Sequence, residues 1–372
     1  MPTIDVTEET VQTPGAERFE ALSEKNDQRN FRLGVGNGVL YVLGTYFISR
    51  ATVIPSFFSH LTHSSALIGI VSQFESIGWY LPQFFTATYV VHYTRKLPIY
   101  RMATWLRGTM FFGMALVTLL VPNPAWLLVG VMALYAIFTA GSGISGIVFL
   151  DLVAKTIPPT RRGRFFALRA SYGALLSATV GAAVISYVLS RFLFPTNFGL
   201  VFAIGATIAT SGLTLMAIMR EPRSASVPEA RTLRDQIRTG REILRTDRRY
   251  LAYLRARLLM ATWSISIPFI VLFANSHLGF ETGDLGLFIA ADCIGVVIGS
   301  FFWERLTDRR SSKVCLEWVT ILSAVMPLTV IAYLLLPLPR MLFPAVFAIA
   351  SAVDSGTGIG GLTYLIEIAP ER

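Results

Sequence analysis

The chain has 372 residues, of which 53% are hydrophobic and only 15% are charged, and its mean hydropathy is +0.57. Soluble proteins carry about 25% charged residues, so this composition excludes an ordinary soluble globular protein. The formal net charge is +9, but no nucleic-acid-binding motif accompanies it. We therefore expect no nucleic acid among the partners.

Ten apolar runs account for most of the chain, and each is near the roughly 20 residues that a helix needs to cross the hydrocarbon core of a bilayer. They predict an all-α fold, a polytopic helical bundle in a membrane. The approximate bounds of the runs are residues 34–58, 67–91, 102–121, 125–153, 170–194, 198–219, 254–274, 285–302, 316–335 and 341–366.

Residues 1–33 are polar and lack the apolar core of a signal peptide, so they predict a cytoplasmic N-terminal tail. Lys and Arg lie in alternate loops and at the inner ends of helices, with Arg50, Arg191 and Arg340 as the exceptions. The positive-inside rule then predicts a multi-pass protein of the cell (inner or plasma) membrane with a cytoplasmic N-terminus. Anionic lipid headgroups are the expected partners of the basic segments.

Two apolar decamers with the same glycine pattern lie far apart in the chain. Residues 141–150 have the sequence GSGISGIVFL, and residues 356–365 have the sequence GTGIGGLTYL. In the same way IGWYLPQFF, residues 77–85, matches IGVVIGSFF, residues 294–302. Matches that keep their order and a nearly constant offset indicate an internal duplication.

The duplication divides the chain into two pseudo-repeated halves of six spans. Residues 34–219 are predicted to form the first six-helix bundle, residues 220–253 a basic cytoplasmic linker, and residues 254–372 the second bundle. The linker carries Arg but no Lys and has apolar residues at helical spacing. It is either an amphipathic helix at the headgroup level or a solvated charged helix. Counted against the first half, the second half lacks its last two helices.

This arrangement resembles the major facilitator superfamily, whose two six-helix bundles are joined by a basic cytoplasmic linker. The loop motif of that family, G-x-x-x-D-R-x-G-R-K, is reduced after the second span to Arg95 and Lys96. After the eighth span Asp308, Arg309 and Lys313 are retained. The resemblance implies an inner gate at these loops, and the departures predict that its charge relay is kept in the second half. The alternative is that these are ordinary solvated charges.

The resemblance further implies alternating access, in which two bundles rock around a cavity near the bilayer midplane. Glycines without side chains let neighbouring helices approach closely and tolerate the bending that rocking requires. We therefore predict helix packing, either static or sliding, at the glycines of the two decamers. These are Gly141, Gly143, Gly146, Gly356, Gly358 and Gly361.

Four ionisable residues lie deep in apolar runs, where each costs roughly 2.5–3.5 kcal/mol on insertion scales and therefore needs a partner or a task. Arg50 and Glu75 lie at matching depths in consecutive spans and can pair. Asp292 is the repeat mate of Glu75, and Asp354 precedes the second glycine decamer. We expect both aspartates to face the central cavity or an interhelical polar cluster, where a carboxylate can carry a coupling proton. The alternative is a structural ion pair or a carboxyl group hydrogen-bonded to a neighbouring helix.

Uncharged side chains in the spans are further candidates for contact with a solute. Asn37 and Gln73 can hydrogen-bond it, and Trp79, Tyr135 and Trp263 can stack on it, although aromatic residues in such a chain also face lipid or pack in the core. The sequence contains no zinc-spaced His or Cys cluster, phosphate-binding loop or nucleophile elbow. We expect no enzyme activity, no cofactor and no metal.

The leading hypothesis is a secondary active transporter, a permease that moves a small organic solute across the membrane by alternating access. Proton-coupled efflux of an amphiphilic compound is preferred over sugar uptake because the candidate cavity residues are aromatic and apolar with few amides. The alternative is a non-transporting membrane sensor, scaffold or lipid-handling protein on the same fold. We expect a monomer.

Overall fold

The computed structural model describes residues 14–90, 93–222 and 233–368. Within these residues the chain forms α-helices and no strand, which confirms the all-α prediction. The helices are α1 (Pro14–Tyr46), α2 (Val53–Ser59), α3 (Ser65–Ser72), α4 (Phe74–Val90), α5 (Leu97–Leu120), α6 (Pro124–Thr156), α7 (Pro159–Leu176), α8 (Ala182–Arg191), α9 (Thr196–Ala217), α10 (Leu233–Thr246), α11 (Arg248–Ser264), α12 (Ile267–His277), α13 (Leu285–Arg309), α14 (Ser312–Leu335) and α15 (Ala345–Ile368).

Seven continuous helical segments in the described part of the chain are long and apolar enough to cross a membrane. They correspond to the predicted spans three to six and eight to ten. The fifth span joins α7 to α8 through a π-helical turn at Ser177–Gly181. The seven segments are Leu97–Leu120, Pro124–Thr156, Pro159–Arg191, Thr196–Ala217, Thr282–Arg309, Ser312–Leu335 and Arg340–Leu365.

The other three predicted spans are each built from two helices, which corrects the expectation of continuous spans. Residues 47–52 separate α1 from α2, and residues 265–266 separate α11 from α12. Pro55 and Pro268 lie in the first turn of the helix that follows each break. Proline is tolerated there because the N–H groups of a first turn have no partner within the helix, whereas further in it would remove a hydrogen bond. The second span is divided at Gln73, between α3 and α4.

The first bundle comprises α1 to α9, in which α1 packs on α7 and α9, and α6 packs on α4 and α5. It also includes the end of the predicted tail. Asn30 is 2% exposed, and its amide group exchanges hydrogen bonds with the backbone of Arg220 at the end of the last span of this half. The tail boundary at residue 33 is therefore too late, because this side-chain amide fixes α1 to the bundle ahead of its apolar part.

The second bundle comprises α11 to α15, with α15 packed against α11, α13 and α14. Only 11% of the apolar stretch of α14 is buried inside the protein, so this helix presents most of its surface outward. The linker contains the helix α10. The seventh span begins as helix at Arg248, earlier than the predicted linker boundary at residue 253.

The two bundles meet mainly toward one end, which we call the closed end. There α12 packs on α2 and α3, and α8 packs on α13. The contact is close: Gly286 of α13 lies against the backbone of Ala182, where an added methyl group would collide. The opposite end carries α10 and the Arg-rich loops, and we call it the basic end.

Candidate interbundle solute site

A cavity of about 320 Å³ lies between the two bundles. The break between α1 and α2 forms one wall through Ser49 and Arg50, and the start of α12 contributes Ile267 to the other. Helices α13 and α15 complete the lining from the second half. Small-molecule sites are commonly concave pockets of about 300–1,000 Å³, so this volume suits a small solute.

Arg50 connects the two halves across the cavity. Its Nε lies 3.8 Å from Oε2 of Glu75, and its Nη2 lies 3.5 Å from Oδ2 of Asp354 in the second half. The structure thus brings together the pair that the matching depths predicted and adds a third member. The side chain of Arg50 is 22% exposed, whereas those of Glu75 and Asp354 are 56% and 58% exposed, so both carboxylates face open space.

Asp292 makes a second link between the halves. One carboxylate oxygen accepts a hydrogen bond from the hydroxyl of Tyr46, the last residue of α1, at 2.8 Å. The other accepts from the hydroxyl of Ser351 on α15. All three side chains line the cavity. Among the described residues the hydrogen-bond partners of this carboxylate are therefore neutral hydroxyls, in contrast to the arginine beside Glu75 and Asp354.

The uncharged candidates lie outside the cavity lining that the structure describes. Gln73, at the break in the second span, donates to the carbonyl of Ser264 at 3.3 Å and so joins the two halves. Tyr135 is 1% exposed, and Trp263 packs at the edge of the core. Trp79 is 41% exposed. The positions of Tyr135 and Trp263 favour packing roles for these two aromatic residues in this arrangement of the bundles.

Asn37 also lies away from the cavity, in a buried cluster within the first bundle. It is 2% exposed, its Nδ2 donates to the carbonyl of Gly212 at 2.9 Å, and its Oδ1 accepts from Arg169 at 2.8 Å. Arg169 also donates to the carbonyl of Gly34 and lies over the ring of Phe149. Both ends of the amide are therefore used by the bundle itself.

Arg107 is a buried arginine that the sequence did not single out. It is 3% exposed, donates to Ser145 Oγ at 3.1 Å and to the Tyr41 hydroxyl, and lies over the ring of Phe138. The third predicted span, residues 102–121, places Arg107 near its inner end, but α5 begins at Leu97 and places this arginine about 15 Å along the helix. Pro98 is the sequence signal for this earlier helix start, because proline is favoured in the first turn of a helix.

The first half has a charge cluster at the basic end. Lys96 and Lys155 each lie 2.9 Å from the carboxylate of Asp151, and Lys155 also lies 3.1 Å from Glu221. The carboxylate of Glu221, 2% exposed, accepts from the backbone N–H groups of Lys96 and Leu97 at the start of α5. Charged contacts of the kind expected in the second half are therefore present in the first, through the acids Asp151 and Glu221, which lie outside the loop motif. A gating role for them stays a prediction.

In the second half Asp308 and Arg309 of the gate motif are exposed, as Arg95 is in the first. Neither makes a salt bridge within the described residues. A different acid, Glu367 near the end of α15, makes the contact at this end of the second half. It accepts a hydrogen bond from the Ser312 hydroxyl at the start of α14. The exposure of Asp308 and Arg309 is what the alternative of ordinary solvated charges predicts, and the contact to the following helix comes from α15 instead.

The glycines of the first decamer all lie at close helix contacts. A methyl group on Gly143 would collide with the backbone oxygens of Gly78 and Trp79 on α4. One on Gly146 would lie 2.8 Å from the ring of Trp79, and one on Gly141 would lie 2.7 Å from Cγ of Arg107. The sequence here allows α6 to approach α4 at backbone distance.

The second decamer is packed less uniformly. A methyl group on Gly356 would lie 2.7 Å from the ring of Trp303, and one on Gly361 would lie 3.2 Å from the hydroxyl of Tyr253. Gly358, however, has no neighbour within 4 Å of that position among the described residues. The predicted packing role is therefore not found at Gly358, because its face of α15 is open in this arrangement.

Comparison with known protein families gives a match to the model of the Major Facilitator Superfamily over residues 33–372. Among curated proteins, uncharacterized proteins of Mycobacterium bovis and Mycobacterium tuberculosis are 24% identical over 187 residues, 49% of this chain and 36% of theirs. The chain thus covers about a third of the length of these relatives.

Solved structures of transporters share the fold. A bacterial homologue of the human lysosomal transporter Spinster, inward-facing and unoccupied, has a TM-score of 0.62 at 17% identity over 92% of this chain and 76% of that one. A variant of the nucleoside transporter NupG has a TM-score of 0.65 at 14% identity, covering 92% and 84%. A D-xylose–proton symporter has a TM-score of 0.58 at 14% identity, covering 95% and 84%.

Proposed function

Because the chain belongs to the major facilitator superfamily, we propose that it is a secondary active transporter that moves a small organic solute by alternating access around the interbundle cavity. The observation that carries this proposal is the polar network that crosses the cavity. Arg50 of the first half lies beside Asp354 of the second, and Asp292 of the second accepts from Tyr46 of the first. Rocking of the bundles must break or rearrange these contacts.

The distribution of contacts favours a cavity that opens toward the basic end. The contacts of α12 with α2 and α3 and of α8 with α13 hold the opposite end together. If the basic end is cytoplasmic, as the positive-inside rule predicts, this arrangement is inward-facing. The cytoplasmic N-terminus and the location in the cell membrane are part of the same proposal.

Proton coupling is proposed to act through the cavity carboxylates. A proton on Glu75 or Asp354 removes the negative charge that attracts Arg50, and a proton on Asp292 removes the charge to which Tyr46 donates. Either event weakens a contact between the halves and thereby changes the relative energies of the two access states. Export of an amphiphilic compound stays a prediction, since the aromatic residues on which it depended lie outside the described lining.

The test is solute-dependent proton movement in proteoliposomes loaded with a pH-sensitive dye and challenged with a solute library. We expect wild-type protein to move protons with at least one solute, and the double variant Glu75→Gln, Asp292→Asn to lose gradient-driven movement. Glu304→Gln is the control, because Glu304 is exposed on the same helix as Asp292 and outside the cavity lining. Full activity of the double variant would remove the coupling, and no solute movement across the library would remove transport.

A further inference from the structure

We propose that the solute carried in the cavity is an organic cation, a protonated amine with a small apolar body. This inference rests on the proposed function and names its substrate class. The cavity lining contains three carboxylates, Glu75, Asp292 and Asp354, but among the described residues that line it Arg50 is the only cation. With every group ionised, the lining carries an excess of negative charge.

The positions of these carboxylates leave them free to contact a ligand. Glu75 and Asp354 share one arginine at 3.8 Å and 3.5 Å, distances longer than those of strong charge-assisted hydrogen bonds. More than half of each side chain is exposed, toward the cavity that both line. An ammonium group has several N–H donors and no acceptor, and it can therefore satisfy carboxylate oxygens that Arg50 leaves open.

Asp292 is the second point of contact for such a ligand. Its two partners are hydroxyl groups, which can act as acceptors as well as donors. An ammonium group near Asp292 would thus find a carboxylate with two polar neighbours and no competing cation among its hydrogen-bond partners in the described part of the chain. Anionic solutes would instead meet like charges, which disfavours their binding.

The remaining lining is apolar and matches the body of a small amine. Ile267, Val296, Phe347 and Ala350 border the same cavity. No Asn or Gln occurs among the described lining residues, so the neutral amide groups that suit a polyhydroxylated solute are lacking there. Charge at one side and apolar surface at the other are the complement of an amine attached to a short hydrocarbon or aromatic group.

The experiment uses the full chain in lipid nanodiscs and a panel of aromatic and aliphatic amines. Each amine is paired with the alcohol and the carboxylate of the same skeleton, and binding is measured by thermal shift and calorimetry. We expect amines to bind and their neutral and anionic partners to bind at least about tenfold more weakly. Asp292→Asn and Glu75→Gln should each weaken amine binding by about tenfold or more, whereas Glu304→Gln should not change it.

Alcohols or carboxylates that bind as well as the amines would overturn the inference, and so would a panel in which no amine binds. Equal amine affinity in wild type and in the correctly folded Asp292→Asn and Glu75→Gln variants would also overturn it. Size-exclusion profiles and unfolding temperatures identify variants that fail to fold, and Asp354→Asn supplies a further cavity variant in that event. Proton-coupled movement of a neutral solute refutes the cation and leaves transport standing. Amine binding without movement of solute or protons supports the organic cation and contradicts the proposed transport.

Discussion

The two halves keep the same helix contact at one pair of equivalent glycines and differ at another. In the first half, Gly78 of the IGWYLPQFF segment packs on Thr139 of α6, and in the second its repeat mate Gly295 packs on Ala348 of α15. Gly143 adds a backbone contact in the first half, whereas its mate Gly358 has open space around it. Duplication has thus preserved the close approach of the second and fourth spans, although the individual glycines have diverged in their roles.

The polar groups of the halves differ more. The first half has an ion cluster around Asp151, a buried arginine, Arg107, and a half-buried one, Arg169, and both arginines hydrogen-bond within one bundle. At the corresponding end of the second half the cross-helix contact of Glu367 is a hydroxyl hydrogen bond. The first bundle therefore has more ionic contacts at this end, whereas the described cross-helix polar contacts of the second are hydrogen bonds, such as that from Arg257 to the carbonyl of Thr357.

The largest expected effect on stability is the difference between substitutions at Gly143 and Gly358, which occupy equivalent positions in the two decamers. Gly143→Ala should destabilise the protein by about 3 kcal/mol, because the methyl group must displace the backbone of α4. Gly358→Ala should be neutral or stabilise it by about 0.5–1 kcal/mol, since alanine is the better helix former and nothing opposes its side chain. Thermal unfolding in detergent measures both. Equal behaviour of the two variants would contradict the difference in packing.

A smaller effect on stability distinguishes Arg107, which bonds within the first bundle, from Arg50, which lies between the two bundles. Arg107→Met should cost about 2 kcal/mol, since Tyr41 and Ser145 lose a buried donor. Arg50→Gln should cost less than about 1 kcal/mol because the pair is partly exposed. It should instead alter the balance between access states.

Spin labels at His63 and His277 report that balance, because both residues are exposed and lie in different halves at the closed end. Arg50→Gln should change the distribution of distances between the labels, and Arg107→Met should leave it as in wild type. An unchanged distribution in Arg50→Gln would show that the cavity pairs do not control the relative position of the halves.

The smallest effect compares the acids at the basic end. Asp151→Asn should lower stability by about 1 kcal/mol because it removes the anion shared by two lysines. Glu367→Gln should cost about 0.5 kcal/mol, since the amide oxygen can still accept from Ser312. Glu317→Gln, in an exposed pair with Lys313 at 3.8 Å, is the control and should have no measurable effect. A larger loss of stability in Glu367→Gln than in Asp151→Asn would contradict this ranking.

Much of the architecture followed from the sequence alone. Run length and hydropathy predicted the seven continuous spans of the described residues because a bilayer core demands about 20 apolar residues per helix. The repeated segments predicted the division into halves. The pairing of Arg50 with Glu75 followed from equal depth in neighbouring spans. The bounds of α5 were placed too late, and Arg107 was missed, because apolar runs mark the buried part of a helix and helical structure extends beyond them.

Tertiary structure alone decided which polar groups meet. Asp354 reaches Arg50, and Tyr46 reaches Asp292, across more than two hundred residues of chain, and no local pattern specifies such a contact. The ion cluster of Asp151 and Glu221 and the exposure of Asp308 likewise depend on how helix ends come together at the basic end. Hydropathy depends on each residue's own transfer free energy and can be read along the chain, whereas ion pairs depend on distances in space that only the packed bundles set.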